Sequence, residues 1–369
     1  MNKQHSIYLD LLRFLAAFFV FISHLPGFTG GWFWQIAGFG HEAVVFFFVL
    51  SGFVISFVTN EKKETAFEYT INRMARIYSV AVPALILTLI LFYAGKYVNI
   101  AHLDGLDSRL DHPLWIIASA LLFINQSWID TTVFTNLPYW SLGYEVLYYV
   151  FFGVWFYARK NTRLIAIPII FSIMGPSILL YLPIWLLGVF CHRNLNSIKL
   201  SFQTAFGLYI LSITGIVILS IDSLQAFIST TTQDFFNYNV NYVLLPSAHN
   251  FVSDYILAIF VALHINSSYY LFKAKPYFSF KSGQRIQNLS SHTFSLYLYH
   301  MPLLYFFSAI FPFNQYSALS FFSSYLLTPI LIYLLSRYTE NKKSQFKHFF
   351  KEFFLLFFKH TRKSRWHTR

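Results

Sequence analysis

Long apolar runs separated by short polar loops organise this chain almost from end to end. They fall at about 7–26, 41–58, 74–94, 113–127, 138–158, 164–175, 178–191, 202–221, 250–266, 292–311 and 318–337. A helical bilayer span takes ~20 mostly apolar residues, so the pattern predicts a bundle of membrane helices. The runs 164–175 and 178–191 are short for full spans. They predict a hairpin of short helices that turns at Gly175-Pro176. No internal repeat and no low-complexity linker interrupts the series.

Charge sets the orientation, because cytoplasmic loops are enriched in Lys and Arg. With the N-terminus inside, the 59–76 loop is inside and carries Lys62, Lys63, Arg73 and Arg76. The next basic loop, 159–163, holds Arg159, Lys160 and Arg163. Three apolar runs lie between these loops, and an odd number of crossings cannot join two inside loops. The 113–127 run, the weakest of the three, is therefore expected to be re-entrant or interfacial, with both ends outside. Arg193 and Lys199 then fall inside, as do Lys273, Lys275, Lys281 and Arg285. Arg337 onward supplies ten more inside basic residues. In this arrangement 24 of the 27 Lys and Arg are cytoplasmic, Arg13 is intramembrane, and only Lys96 and Arg109 are outside. The 222–250 loop, outside, has no Lys or Arg. The fold class is thus an all-α polytopic membrane protein of about ten transmembrane helices, both termini cytoplasmic. A membrane domain covers 1–338. The Phe-rich basic tail, 339–369, is expected to lie on the inner leaflet as an interfacial helix.

Composition agrees. The 369 residues are 56% hydrophobic, 21% aromatic and 11% charged, with 45 Phe, against about 25% charged in a soluble domain. The net charge of +12 belongs to membrane orientation rather than nucleic acid. A single cysteine, Cys191, excludes an intramolecular disulfide and a multi-cysteine metal site. The N-terminal run carries Asp10 and Arg13 and no clear cleavage site, so it reads as a retained first span.

Candidate chemistry lies where polar residues enter apolar runs. Arg13 costs ~2.5–3.5 kcal/mol near the bilayer centre, and His24 follows eleven residues later. Eleven helical steps bring the two within ~20° of one face and ~16.5 Å apart. Alone, Arg13 could equally snorkel and pair with Asp10, with His24 interfacial. Arg73 and Arg76 share a face at the cytoplasmic start of the third span. Paired guanidiniums suit phosphate or pyrophosphate, though they also fit ordinary positive-inside placement. In "LPYWSLGYEVLYYVFFG", Glu145 lies about two turns from the outer end and shares a face with Ser141, with Tyr148 and Tyr149 one turn on. A carboxylate at the depth of His24 would orient the imidazole as a general base. The competing reading is a structural ion pair with Arg76 or Arg13. His300 falls mid-membrane before Pro302, where a lone histidine is more often structural. His41-Glu42 opens the second span on the outer side.

Taken in order, these motifs resemble the acyltransferase-3 family of integral membrane acyltransferases, the group of O-antigen and Nod-factor O-acetylases. The resemblance rests on an arginine, ten residues and a histidine (Arg13 to His24). It rests further on "FFFVLSGF" at 46–53, "NRMARIY" at 72–78, "WSLGYEVLYY" at 140–149 and "SLYLYHMPLL" at 295–304. Gly143-Tyr144 departs from the commoner Ser-Val before the glutamate, and no fused extracytoplasmic esterase-like domain is expected. The resemblance implies a bacterial inner (cytoplasmic) membrane enzyme. It would transfer an acyl group, most often acetyl, from cytoplasmic acetyl-CoA to a hydroxyl of an extracytoplasmic or lipid-linked glycan, without a metal. Arg73 and Arg76 would bind the CoA phosphates and Arg13 the pantetheine or thioester region. His24 would act as base or transient acyl carrier with Glu145 orienting it, and Ser141 is the other candidate carrier. Direct transfer and an acyl-enzyme both fit these residues. The alternative is a flippase or secondary transporter of a glycan or glycolipid, for which intramembrane Arg, His and Glu would mark the path. A purely structural scaffold would leave those charges unexplained.

Overall fold

The computed structural model describes residues 2–29, 34–99, 112–239, 248, 250–311 and 318–364. Arg109, and 240–247 and 249 of the expected outer loop, lie outside the described residues. Among the described residues, fourteen α-helices of five residues or more follow one another: α1 Lys3–His24, α2 Gly40–Lys62, α3 Ala66–Val98, α4 Pro113–Leu121, α5 Trp140–Tyr157, α6 Lys160–Arg193, α7 Phe202–Leu219, α8 Asp222–Asn239, α9 Phe251–Ala274, α10 Phe280–Ser290, α11 Thr293–Ile310, α12 Ala318–Phe322, α13 Thr328–Tyr338 and α14 Lys343–Ser364. Among the described residues the only extended pairing is a single bridge, Val133 with Asn136. Among the described residues seven helical stretches are long and apolar enough to cross a membrane. Their outer faces carry exposed Ile86, Ile90, Phe206, Ile210, Ile213 and Val217. So much apolar surface left uncovered by protein belongs against lipid.

The centre of the bundle is α2, which packs on α1, α5, α6 and α9. Its closest approach is to α6. A Cβ on Gly52 would overlap the Trp185 carbonyl, and one on Gly188 would overlap the Val49 carbonyl. Only hydrogen at both positions lets the two backbones come this close, as small residues do at membrane helix crossings.

α6 is a hairpin, not a rod. Arg163 Nε donates to the Ala158 carbonyl at 2.8 Å, and the Arg193 guanidinium lies over the Trp155 ring at 5.2 Å. Both ends of α6 therefore meet the C-terminal end of α5. A straight helix of 34 residues would be ~51 Å long and could not do this. The reversal is at Gly175 (φ 72, ψ 176), a conformation open essentially to glycine alone. Pro176 removes the donor for the Ser172 carbonyl, and Trp128 Nε1 replaces it at 2.7 Å. The same remedy appears in α11. There Pro302 frees the Leu298 carbonyl, and the Asn136 amide donates to it at 3.0 Å.

The 113–127 segment forms α4, nine residues long, or ~13.5 Å, well short of a ~30 Å hydrocarbon core. The chain then turns inside the protein, with Phe123, Asn125, Gln126 and Ser127 all buried. Phe123 holds a left-handed backbone (φ 58) and packs between Tyr78 and Tyr139. One expectation needs correcting: 222–239 is helical, not loop. Its Gln225 side chain donates to Glu42 at the start of α2, which anchors it on the bundle. At the other end, the helix from α13 breaks at Thr339 (φ −117, ψ −82). α14 then runs against the start of α3 through Phe67–Phe354 and Tyr78–Phe350 contacts.

Candidate active site

One pocket gathers side chains from α1, α2, α3, α5 and α11. It is lined by Arg13, Arg73, Arg76, Ser51, Ser141, Glu145, Tyr149 and Tyr297, with Phe47, Phe48 and Phe294 among its apolar walls. Five of the six residues singled out by sequence are therefore together. Arg13 pairs with Asp10 at 3.1 Å. Arg73 lies over the rings of Tyr69 and Tyr149, 5.9 and 5.8 Å from their centroids. Its Nε is buried without a hydrogen-bond partner. Among the described residues neither Arg73 nor Arg76 has a carboxylate within salt-bridge distance. Buried guanidinium N–H groups with no acid on them are costly unless an anion arrives.

Glu145 is held from two sides. Ser51 Oγ donates to it at 3.0 Å, and the Tyr149 hydroxyl donates from one turn below. Ser51 in turn accepts from Trp185 Nε1 at 3.3 Å. This explains the "LSGF" stretch residue by residue. Ser51 fixes the carboxylate, and Gly52 lets α6 approach so that Trp185 can reach Ser51. Ser141 Oγ is 2.7 Å from the Tyr297 hydroxyl.

His24 is not part of this pocket, and Glu145 does not orient it. Glu145 faces the arginines, which corrects the expected histidine–carboxylate pair. The partner of His24 is His300, fully buried on α11. The carbonyls fix the tautomers, since a carbonyl only accepts. His300 Nδ1 is 2.9 Å from the Leu296 carbonyl, so Nδ1 carries hydrogen and Nε2 is an acceptor. His24 Nδ1 is 2.7 Å from the Val20 carbonyl and 3.3 Å from His300 Nε2. One N–H on His24 Nδ1 serves both, leaving His24 Nε2 without a proton and free to take one. Arg13 lines the pocket together with Thr293 and Phe294 of α11, while His24 meets His300 further along the same helix.

Two contributors come from the far end of the chain. Glu340 accepts from the Ser295 backbone N–H and hydroxyl, both at 2.9 Å, which seats a carboxylate on the N-terminus of α11. Lys343, at the start of α14, is within electrostatic reach of Arg13, Arg73 and Arg76. Ser51 stood inside the quoted "FFFVLSGF" stretch, but its role did not show there because its partner Glu145 is 94 positions away; Glu340 gave no sequence signal, because its partner Ser295 is 45 positions away. Among the described residues no group of three or more His, Cys, Asp or Glu could hold a metal ion.

A multi-pass helical membrane protein with a basic, carboxylate-bearing pocket inside its bundle is the class that fold and site define. The sequence profile of the acyltransferase-3 family, described as an acyltransferase domain, matches residues 6–337. The match covers nearly the whole chain, so the protein belongs to the acyltransferase-3 family and is a membrane acyltransferase. No curated protein and no solved structure matches it.

Proposed function

We propose that the protein is an O-acyltransferase of the bacterial cytoplasmic membrane. It would move an acyl group, most simply acetyl, from cytoplasmic acyl-CoA to a hydroxyl of a carbohydrate on the opposite face. The observation that carries this reading is the convergence of Arg13, Arg73 and Arg76 in one pocket, with a buried Arg73 N–H left for a ligand. Planar guanidiniums, one of them with a free Nε–H, match the phosphates of CoA. The orientation follows from charge and count. Counting α5, α11 and the second limb of α6 with the seven long stretches would give ten crossings and, with the loop charge, put both termini inside. The arginine pair then opens toward the cytoplasm.

His24 lies ~16.5 Å along α1 from Arg13, and the extended pantetheine arm is the part of CoA that would bridge that gap. In the transfer, His24 Nε2 takes the proton of the acceptor hydroxyl as its oxygen attacks the thioester carbonyl. The carbon–sulfur bond breaks, the CoA thiolate leaves and is protonated, and the ester stays on the acceptor. His300 shares the imidazolium charge through His24 Nδ1–H. Glu145, hydrogen-bonded to Ser51 and Tyr149, balances part of the arginine charge and holds the pocket open for the donor. The test is acetyl-CoA binding to the purified protein together with mass spectrometry of surface glycans from cells with and without it. Acylation that requires the protein, with saturable acetyl-CoA binding, supports the reading. A transporter would work without acyl-CoA and leave glycans unmodified.

A further inference from the structure

Another cavity opens at the other end of the bundle, about 350 Å³, near the lower end of the size range of small-ligand sites. Its lining includes His41, Gln126, Asp130, Trp140, Tyr181 and Asn250, and contains no Lys or Arg among the described residues. Asp254 stands behind it, 2% exposed, bonded to His41 Nε2 at 2.7 Å and accepting the Tyr181 hydroxyl on its other oxygen. His41 is 35% exposed. Because the carboxylate holds Nε2–H, the imidazole is fixed in orientation and Nδ1 is left for a ligand.

We propose that this cavity binds one uncharged sugar unit of the acceptor, with the His41–Asp254 pair as a positioning and specificity element. The inference rests on the acyltransfer reading above and adds where, and by which groups, the acceptor is held. An indole, a phenol ring and several amide and hydroxyl groups, with no Lys or Arg among the described lining residues, suit a polyhydroxylated, neutral ligand. A phosphate or uronate would meet the Asp130 carboxylate and no Lys or Arg of the described lining. The placement also fits. Phe48 belongs to the arginine pocket and packs edge-on against Trp140 and Tyr181 of this cavity, ring centroids 6.2 Å apart in both cases. The two sites are thus separated by a wall of aromatic rings. Gly40, next to His41, is in contact with Ser23, next to His24. The sugar would therefore be held at the same end of the bundle as the His24 imidazole.

The experiment uses the full chain in lipid nanodiscs and a panel of methyl glycosides of glucose, galactose, rhamnose and N-acetylglucosamine, with glucose 6-phosphate as the charged comparison. Binding is read by tryptophan fluorescence and by thermal shift, and acetyl-CoA binding is measured separately. At least one neutral glycoside should bind saturably and better than the phosphate. His41→Gln and Asn250→Ala should each weaken it roughly fivefold to tenfold, the loss of one hydrogen bond, with acetyl-CoA affinity unchanged. Asn250→Ala guards against a His41 variant that fails to fold. No binding by any glycoside, or binding indifferent to both substitutions, would overturn the proposal. Glycoside binding without acetyl-CoA binding would instead sink the donor-site reading and leave this one standing.

Discussion

At the scale of single residues, the arginine pocket makes the sharpest demand. Arg73 is stacked between two tyrosines with an unsatisfied N–H, so lysine cannot replace its planar fork. Arg73→Lys should weaken acetyl-CoA binding about tenfold to a hundredfold, the range for losing a charged hydrogen bond of ~1.5–3 kcal/mol. Equilibrium binding of labelled acetyl-CoA checks this, and unchanged affinity would remove Arg73 from the donor site. His24→Ala should leave that affinity alone and lower glycan acylation by about 10²–10⁴, the usual contribution of a general base. His300→Ala should fall between the two, since it removes only the partner of His24. The arginines, Ser141, Glu145 and His24 were all legible in sequence, because polar residues in apolar runs stand out. Their grouping was not. Glu145 meets Ser51 across 94 positions and His24 meets His300 across 276, and no local spacing encodes such pairs.

At the scale of elements, the account depends on close helix contact and on prolines with replacement donors. Gly188→Ala would drive a methyl into the Val49 carbonyl, so α2 and α6 must separate. Overpacking of this kind costs about 1–3 kcal/mol and should lower the melting temperature in detergent. An unchanged melting temperature would mean that the crossing is looser than described. Gly175→Ala should be worse, because it combines a backbone conformation closed to alanine with a clash on the Ser127 carbonyl. The hairpin in α6 was readable beforehand from Gly175-Pro176 and from run length. The helix at 222–239 was not, because its polar composition reads as loop and its anchor, Gln225 on Glu42, is a tertiary contact.

At the scale of the whole molecule, sidedness joins the two sites. Charge in the loops decides it, and single cysteines placed in a background lacking Cys191 report it. Thr132→Cys, on the cavity lined by His41, should react with an impermeant reagent on intact cells. Lys62→Cys and Lys160→Cys should react only after permeabilisation. Labelling of Lys160→Cys from outside would make 113–127 a full crossing and reverse every later helix. The central claim is that acyl-CoA is consumed on the basic face and the ester appears on the other. Inside-out membrane vesicles carrying their own glycans test it most directly, given acetyl-CoA labelled in the acetyl group on their exposed cytoplasmic face. The account predicts labelled ester on the enclosed glycan, reduced by Arg73→Lys and absent with His24→Ala. Glycan that stays unlabelled with the wild-type protein, or that gains equal label with His24→Ala, would contradict it.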